Sequence, residues 1–299
     1  MELGTIGIWT AAFDAHPSAV AQDAARQIEE MGYRTLWLNE ATGRDPFTMA
    51  GLLLAATERL TVALGIANIY ARDAVTTAAA QKTLAEAYPG RFLLGLGVSS
   101  PVLVEKVRGH DYGRPLSNMR DYLEAMDVAP FNAVGPADPP ERVLAALGPK
   151  MLALSASHAQ GCHPYLTTPE HTRTAREVVG PGVLVAPEQM VVLETDPDTA
   201  RAIGARAISF YLRAPGYLAN LRRLGFDDAD WADTKQPSDR LVDAIVAWGD
   251  LDRARARIDE HLAAGADHVA VQVLRGDRHL PLAEWKALAD AVGPATLGG

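Results

Sequence analysis

The sequence is poor in the residue types from which several kinds of functional site are built. Its 299 residues include one cysteine, Cys162, which excludes an internal disulfide and a metal centre built on several thiolates. The uncharged apolar stretches are short: the longest, such as 46–57, do not reach the roughly 18 to 20 residues of a membrane-spanning helix. The sequence therefore predicts no membrane span. We interpret Cys162 as a small core residue, which suits a reducing compartment.

Positive charge is also scarce. Lys and Arg together number 28 against 37 Asp and Glu, which gives a net charge of −9. This balance argues against nucleic acid or an anionic membrane surface as the main partner. It still permits a small anionic ligand, because backbone amides and one or two arginines can hold one. The first residues contain no basic segment of the kind that opens a signal peptide, so we expect a cytoplasmic protein.

What the sequence does contain is a repeated alternation of short apolar runs with longer amphipathic runs. The apolar runs predict eight strands, at 3–9, 35–39, 60–69, 92–98, 142–147, 163–167, 183–192 and 268–274. Most are continuous β-branched or aliphatic runs, which is typical of strands buried on both faces of a parallel sheet. Helix signals lie between them. We therefore predict one α/β domain over residues 1–299, folded as a (β/α)8 TIM barrel.

Two long connections interrupt the alternation, one after strand four and one after strand seven. The first, 99–141, is rich in proline, and the second, 210–250, is aromatic and charged. Long excursions from a barrel usually shape the active site or an oligomer interface. The sequence predicts insertions at both places and leaves open whether the second one covers a pocket or forms an interface.

Two features at the ends of predicted strands could carry chemistry, because barrel active sites lie at the carboxyl ends of the strands. Gly148 and Pro149 follow strand five and begin a helix, where free backbone N–H groups can bind an anion. An ordinary turn would have the same sequence. Glu40 follows strand two and is a candidate acid, base or ligand contact. A salt bridge to Arg44 or Arg72 would explain it equally well.

Motifs for other chemistries are missing. The sequence contains no nucleophile elbow, Walker loop, His-Glu-x-x-His or Cys-x-x-Cys. His158 and His163 fall on different predicted elements, so we predict no metal site. A carboxylate-based hydrolase would need two acids, and Glu40 with Glu188 is the one pair available at strand ends.

Several segments taken together resemble the luciferase-like monooxygenase superfamily. The resembling segments are GYRTLWLNE (32–40), TERLTVALGIANI (57–69), AEAYPGRF (85–92), LGLGVS (94–99), AALGP (145–149) and AGADHV (264–269). The closer similarity is to the branch of oxidoreductases that use the deazaflavin coenzyme F-420 (F420 below). The resemblance covers nearly the whole chain and is weakest across 210–250. It implies a (β/α)8 barrel with insertions, in agreement with the strand count.

The resemblance also implies positions for the cofactor. A bulge after strand three, often with a non-proline cis peptide, would back the planar ring, and the matching positions here are Ala67 and Asn68. The phosphate would lie on backbone amides after strands four and five. The matching positions for the phosphate are Ser99, Ser100, Gly148 and Pro149. The ring itself is expected near Asn39 and Glu40.

One departure affects the expected acid–base group. The better-known deazaflavin dehydrogenases of this fold have an Asp-His pair after strand two, where this sequence has Asn39 and Glu40. We therefore predict Glu40 as the proton partner or ring contact, with His110, Glu188 and Gln189 as other candidates.

The resemblance leaves the activity with alternatives. The first hypothesis is hydride transfer between F420 and an unknown small-molecule substrate. The second is an FMN-dependent two-component monooxygenase, and the third is a barrel that binds a flavin or deazaflavin without turnover. Because members of the superfamily are commonly dimers or tetramers, the resemblance also implies a homodimer or homotetramer.

Overall fold

The computed structural model describes residues 1–297, except for the side chains of 294 and 295. The strands are β1 (Ile6–Thr10), β2 (Thr35–Leu38), β3 (Thr61–Leu64), β4 (Ala67–Asn68), β5 (Phe92–Gly97), β6 (Arg142–Leu144), β7 (Gly161–Cys162), β8 (Leu184–Val185), β9 (Glu188–Val192), β10 (Val246–Trp248) and β11 (Val269–Val273). The α-helices are α1 (Ser18–Glu30), α2 (Pro46–Ala56), α3 (Ala74–Ala87), α4 (Pro115–Asp127), α5 (Pro149–His158), α6 (Pro169–Val179), α7 (Pro197–Ile208), α8 (Pro215–Arg223), α9 (Asp239–Ile245), α10 (Leu251–Ala263), α11 (Leu282–Val292) and α12 (Pro294–Leu297). No helix within residues 1–297 is long and apolar enough to cross a bilayer.

The parallel sheet closes on itself. The strand order β9-β11-β1-β2-β3-β5-β6-β7-β8 returns to its start because β8 and β9 are two parts of one predicted strand. At their junction the amide of Glu188 donates to the Pro164 carbonyl (2.8 Å), and the amide of Ala270 donates to the Pro187 carbonyl (2.9 Å). The junction of β8 and β9 is therefore hydrogen-bonded on one side to the segment after β7 and on the other side to β11. The predicted (β/α)8 barrel is confirmed.

Three strand predictions need correction. The third predicted strand ends at Leu64, and the peptide bond between Gly65 and Ile66 is cis before pairing resumes in β4. The sixth lies at Gly161–Cys162 and not at 163–167, because Pro164 has no N–H with which to continue the ladder. Within the predicted insertion 210–250, the short strand β10 pairs with β9, where the sequence predicted none.

Several helices begin at an aspartate, which fixes where the chain leaves each strand-to-helix loop. The side chain of each aspartate accepts a hydrogen bond from the backbone N–H three residues later, at 2.8 to 3.0 Å. The four residues are Asp45, Asp73, Asp196 and Asp250. A side-chain acceptor at this position satisfies one of the amides that a helix leaves unpaired at its start. These caps set the positions of α2, α3, α7 and α10 around the sheet.

Trp37 fills the centre of the barrel. It is fully buried, its ring stacks on His163 at 4.2 Å between centroids, and its Nε1 donates to Nε2 of His268 (3.0 Å). The Nδ1 atoms of His163 and His268 lie 2.7 Å from the carbonyls of Ala186 and Gly4. A carbonyl can only accept, so Nδ1 carries the proton in each ring. Burial keeps both imidazoles neutral and lowers the pKa of each to about 4.

Arg91, in the AYPGRF segment, lies at the amino-terminal end of the barrel. Its guanidinium donates to the carbonyls of Leu54, Thr57 and Leu60 and to the Thr57 hydroxyl, at 2.9 to 3.1 Å. Two of these carbonyls terminate α2, where a helix leaves its last C=O groups without partners. The segment therefore fastens α2 to the sheet at the end opposite the strand exits.

Candidate active site

A cavity of about 630 Å³ opens at the carboxyl ends of the strands. This is the end at which TIM barrels hold their active sites, and the volume suits a small-molecule site. Its walls come from the segments that follow β2, β3, β5, β6 and β7, together with residues between 210 and 223. The cavity has three parts: a shelf with few side chains, an anion end and an aromatic end.

The shelf is formed by Gly65 and Ile66 of the bulge between β3 and β4, facing Gly97 and Ala145. A Cβ on Gly97 would lie 2.5 Å from the Ile66 side chain, so glycine at position 97 makes room for Ile66. The cis peptide lies at Gly65–Ile66, two residues before the positions inferred from the resemblance. The bulge therefore contributes backbone to the cavity wall, where a planar group could lie against it.

Glu40 stands beside the shelf in a buried ion pair. Its carboxylate accepts hydrogen bonds from both terminal nitrogens of Arg72, at 2.8 and 3.0 Å, and from the backbone amide of Asn68, at 2.7 Å. Arg108 approaches to 3.5 Å, and Arg72 also pairs with Asp45 at 2.7 Å. Of the two salt bridges considered from the sequence, the one to Arg72 forms. Both oxygens of Glu40 are engaged, so its first role is to hold the bulge in place.

The anion end gathers backbone amides and two cations. Gly148 precedes the first residue of α5 with no side-chain cap, and Ser99 and Ser100 follow β5, Ser99 in the left-handed region (φ 55°). Lys150 and Arg223 complete this wall. A Cβ built on Gly148 would lie 3.6 Å from Nη2 of Arg223. A helix N-terminus with cations beside it is suited to an anion such as a phosphate.

The aromatic end is built around Tyr165, just past β7, and around residues of the second insertion. Tyr211 and Tyr217 lie 5.0 and 6.4 Å from Tyr165 between ring centroids, and Trp9 lies 5.2 Å from it. Phe210 is half exposed at the rim, 5.5 Å from Tyr211. Burial raises the pKa of Tyr165 and Tyr217 well above 10, so their hydroxyls stay protonated.

Glu188 is buried behind this aromatic end. One carboxyl oxygen accepts the Leu166 amide at 3.4 Å, and Leu166 holds a left-handed backbone conformation (φ 56°). The other oxygen has no hydrogen-bond partner among the described residues. Burial raises the pKa of Glu188 to about 8, which makes it a neutral carboxylic acid at pH 7.

Two buried polar atoms lie directly below the shelf. Nε1 of Trp9 and Nε2 of His163 have no hydrogen-bond partner within residues 1–297. A Cβ built on Gly65 would lie 2.6 and 2.7 Å from them, so the Gly65 backbone covers both. Glycine is required at this position because any side chain would displace the tryptophan or the histidine.

The structure brings six of the predicted site residues into the wall of one cavity: Asn39, Glu40, Ser99, Ser100, Gly148 and Pro149. Ala67 and Asn68 are buried in β4 behind the bulge, and His110 lies exposed in the first insertion. Their contacts with a cofactor stay predictions.

Sequence reasoning missed Trp9, His163 and Tyr165 as lining residues. The predicted sixth strand began two residues too late, so His163 and Tyr165 were placed inside it. Pro164 could have indicated the error, because a proline between these two residues cannot donate to a strand ladder. Gln189, another candidate acid–base residue, faces away from the cavity, where its side-chain oxygen bonds to His261 at 2.9 Å.

Comparison with known proteins adds independent findings. The family model described as luciferase-like monooxygenase matches residues 6–268. A Mycobacterium tuberculosis protein, provisionally named as a coenzyme F420-dependent oxidoreductase, is 26% identical, with 91% of this chain and 94% of that protein covered. A solved F420-dependent secondary alcohol dehydrogenase in complex with an F420–acetone adduct has a TM-score of 0.80 at 15% identity, with 99% of both chains covered. The FMN complex of the oxygenating constituent of 3,6-diketocamphane monooxygenase from Pseudomonas putida has a TM-score of 0.70 at 14% identity, with 98% of both chains covered.

Proposed function

Because this chain belongs to the luciferase-like monooxygenase family, we propose that it is an oxidoreductase that binds F420 and exchanges a hydride with a small organic substrate. The observation that carries the proposal is the cavity, whose lining combines the shelf, the anion end and the aromatic end. The 26% identical relative, which matches this chain along nearly its whole length, supports F420 as the cofactor.

The cavity residues fit a flat ring with an anionic tail. Gly148 leaves open the space in front of Arg223 that a Cβ would fill, and Lys150 adds a second positive charge. We propose that the phosphate binds there, against the amides of Ser99, Ser100 and Lys150. The ring would lie on the Gly65–Ile66 backbone. Cofactor enzymes commonly leave the chemistry to the cofactor and supply position and charge.

Bound F420 would supply the hydride chemistry, and the chain's own residues would orient the reactants. Glu40 and Arg72 hold the bulge that forms the shelf, through the bond from the Asn68 amide to Glu40. With cofactor and substrate bound, the aromatic end would exclude water from the space beside the shelf. Such exclusion strengthens the electrostatic interactions inside a site. The role of Glu40 as a proton partner remains part of the proposal.

FMN is the alternative cofactor, since it also combines a tricyclic ring with a phosphate and since an FMN-bound monooxygenase shares the fold. A paired titration separates the two readings. We expect F420 to bind the purified chain with micromolar affinity and FMN at least ten-fold more weakly, measured by tryptophan quenching and by equilibrium dialysis. Preference for FMN, with oxygen-dependent turnover, would support the monooxygenase instead. F420 binding without hydride exchange across a broad substrate panel would support the non-catalytic barrel, and binding of neither would refute the proposal.

Replacing Gly148 by Ala should weaken F420 binding about ten-fold, which corresponds to about 1.4 kcal/mol. The new methyl group would occupy the space before Arg223 that the phosphate needs. Folding should be unaffected, because φ is −89° at Gly148 and the Cβ would make an ordinary contact. Equilibrium dialysis with F420 checks the affinity.

The matched control is Gly276→Ala, which adds the same methyl group outside the cavity, in ordinary contact with Ile203. It should bind F420 as the parent does. Equal affinity of the Gly148→Ala variant and this control would remove Gly148 from the proposed phosphate site.

A further inference from the structure

We propose that the substrate is an uncharged molecule with an aromatic or alicyclic ring, bound at the aromatic end of the cavity. The inference rests on the proposed function, because it assigns the substrate to the space that the cofactor would leave free. Three observations carry it: the ring geometry of the wall, the placement of charge around the cavity, and the carboxyl group behind the wall.

The wall presents both aromatic faces and aromatic edges. The ring planes of Tyr211 and Tyr217 make an angle of 68° at 5.1 Å between centroids, and Trp9 tilts by 41° against Tyr165. The Tyr165 hydroxyl is committed as a donor to Oε1 of Gln272 (3.0 Å), so this residue offers its ring more than its polar end. Aromatic side chains bind a ring by offset stacking or edge-to-face contact, and a small acyclic molecule would leave much of this surface unused.

The charged side chains that line the cavity belong to its other two parts. Glu40 is neutralised by Arg72 beside the shelf, and Lys150 lies next to Gly148. Arg223 is six residues from Tyr217 on α8, which places it roughly 9 Å further along the helix. A carboxylate or phosphate on the substrate would therefore meet no counter-charge at the aromatic end, and burying an unpaired charge is costly.

Glu188 lies behind this wall without adding a charge to it at pH 7. It is completely buried and interacts electrostatically with Tyr165, Tyr211 and Tyr217, which places it directly behind the wall. Its second carboxyl oxygen has no partner among the described residues. Because burial keeps Glu188 protonated, it supplies no counter-charge to a charged substrate, and a neutral ring needs none.

Three probes test these points on the full-length protein: acetophenone, 4-acetylbenzoate and acetone. They share a ketone and differ in the ring and the carboxylate. We expect acetophenone to bind at least ten-fold more tightly than either of the others in ligand-observed NMR titrations at pH 7. Equal or tighter binding of 4-acetylbenzoate would contradict the proposal that the substrate is uncharged. Equal binding of acetone would contradict the proposal that it contains a ring.

Variants locate the binding. Tyr217→Ala should lower acetophenone affinity at least five-fold, and Tyr217→Phe should restore it, because the ring and not the hydroxyl makes the contact. Phe131→Ala is the control, since Phe131 lies outside the cavity and packs against Lys82. An unchanged affinity in Tyr217→Ala would exclude this wall.

Each titration is made with and without saturating F420. Failure of F420 to bind would refute the proposed function alone, because the probe preferences can still be measured on the protein without cofactor. F420 binding combined with indifference between acetophenone and 4-acetylbenzoate would refute this inference and leave the proposed function in place.

Discussion

An Arg72→Ala variant should lose about 3 kcal/mol of unfolding free energy. The substitution leaves Glu40 buried, with a side chain only 5% exposed and without the guanidinium that now binds both of its oxygens. A buried carboxylate without its partner is among the costly defects a point mutation can create. Urea denaturation at pH 7 measures the loss. F420 affinity should fall with it, because Glu40 also holds the Asn68 amide and through it the bulge.

Two controls identify the cause. Arg26→Ala breaks an exposed pair with Asp23, whose side chains are 48% and 68% exposed, and should cost less than about 0.5 kcal/mol. Glu40→Gln combined with Arg72→Ala should recover part of the stability, since a neutral amide needs no counter-charge. A loss below about 1 kcal/mol for Arg72→Ala alone would show that Glu40 is satisfied without it.

Acidification from pH 7 to pH 5 should destabilise the protein by about 3 kcal/mol, and by about 6 kcal/mol in a Glu188→Gln variant. Burial lowers the pKa values of His163, His268 and His261 to about 4, 4 and 3. The unfolded chain therefore takes up protons near pH 6.5 that the folded chain refuses, and stability falls as the pH drops below that value. Each histidine contributes about 2 kcal/mol over this interval.

Glu188 acts in the opposite direction. Its pKa is raised to about 8, so its contribution is most favourable below pH 4.5 and is lost as the pH rises towards 8. In the parent protein it offsets part of the acid destabilisation, and Glu188→Gln removes the offset. The same variant should be more stable than the parent by about 4 kcal/mol at pH 8. Urea titrations at pH 5, 7 and 8 test this, and parallel pH profiles for the two proteins would contradict a buried, protonated Glu188.

The barrel could be predicted from the sequence because its strands are continuous apolar runs separated by capped helices. Gly148 and Pro149 could be placed for the same reason, since they stand at a strand-to-helix junction. The partner of Glu40 could not be decided, because Arg44 and Arg72 are equally available in sequence. In the fold Arg44 donates to the carbonyls of Phe13 and His16, and Arg72 takes Glu40.

The aromatic end was beyond prediction because it joins residues that are distant in the chain. Trp9 lies in β1, and Tyr165 follows β7. Tyr217 belongs to an insertion whose role the sequence left open. One of the segments that carry the family resemblance, AYPGRF, lies instead at the far end of the barrel, where Arg91 fastens α2. This part of the resemblance therefore rests on residues other than those to which we assign the substrate.

Helix α8 carries Tyr217 in its first turn and Arg223 at its last residue, so this one helix lines both the aromatic end and the anion end of the cavity. An anion bound at Arg223 would contact the same helix that carries Tyr217. Cofactor and substrate would then be thermodynamically linked: the factor by which one raises the affinity of the other is the same in both directions. A cofactor fragment without its phosphate would lose this cooperativity along with its own affinity.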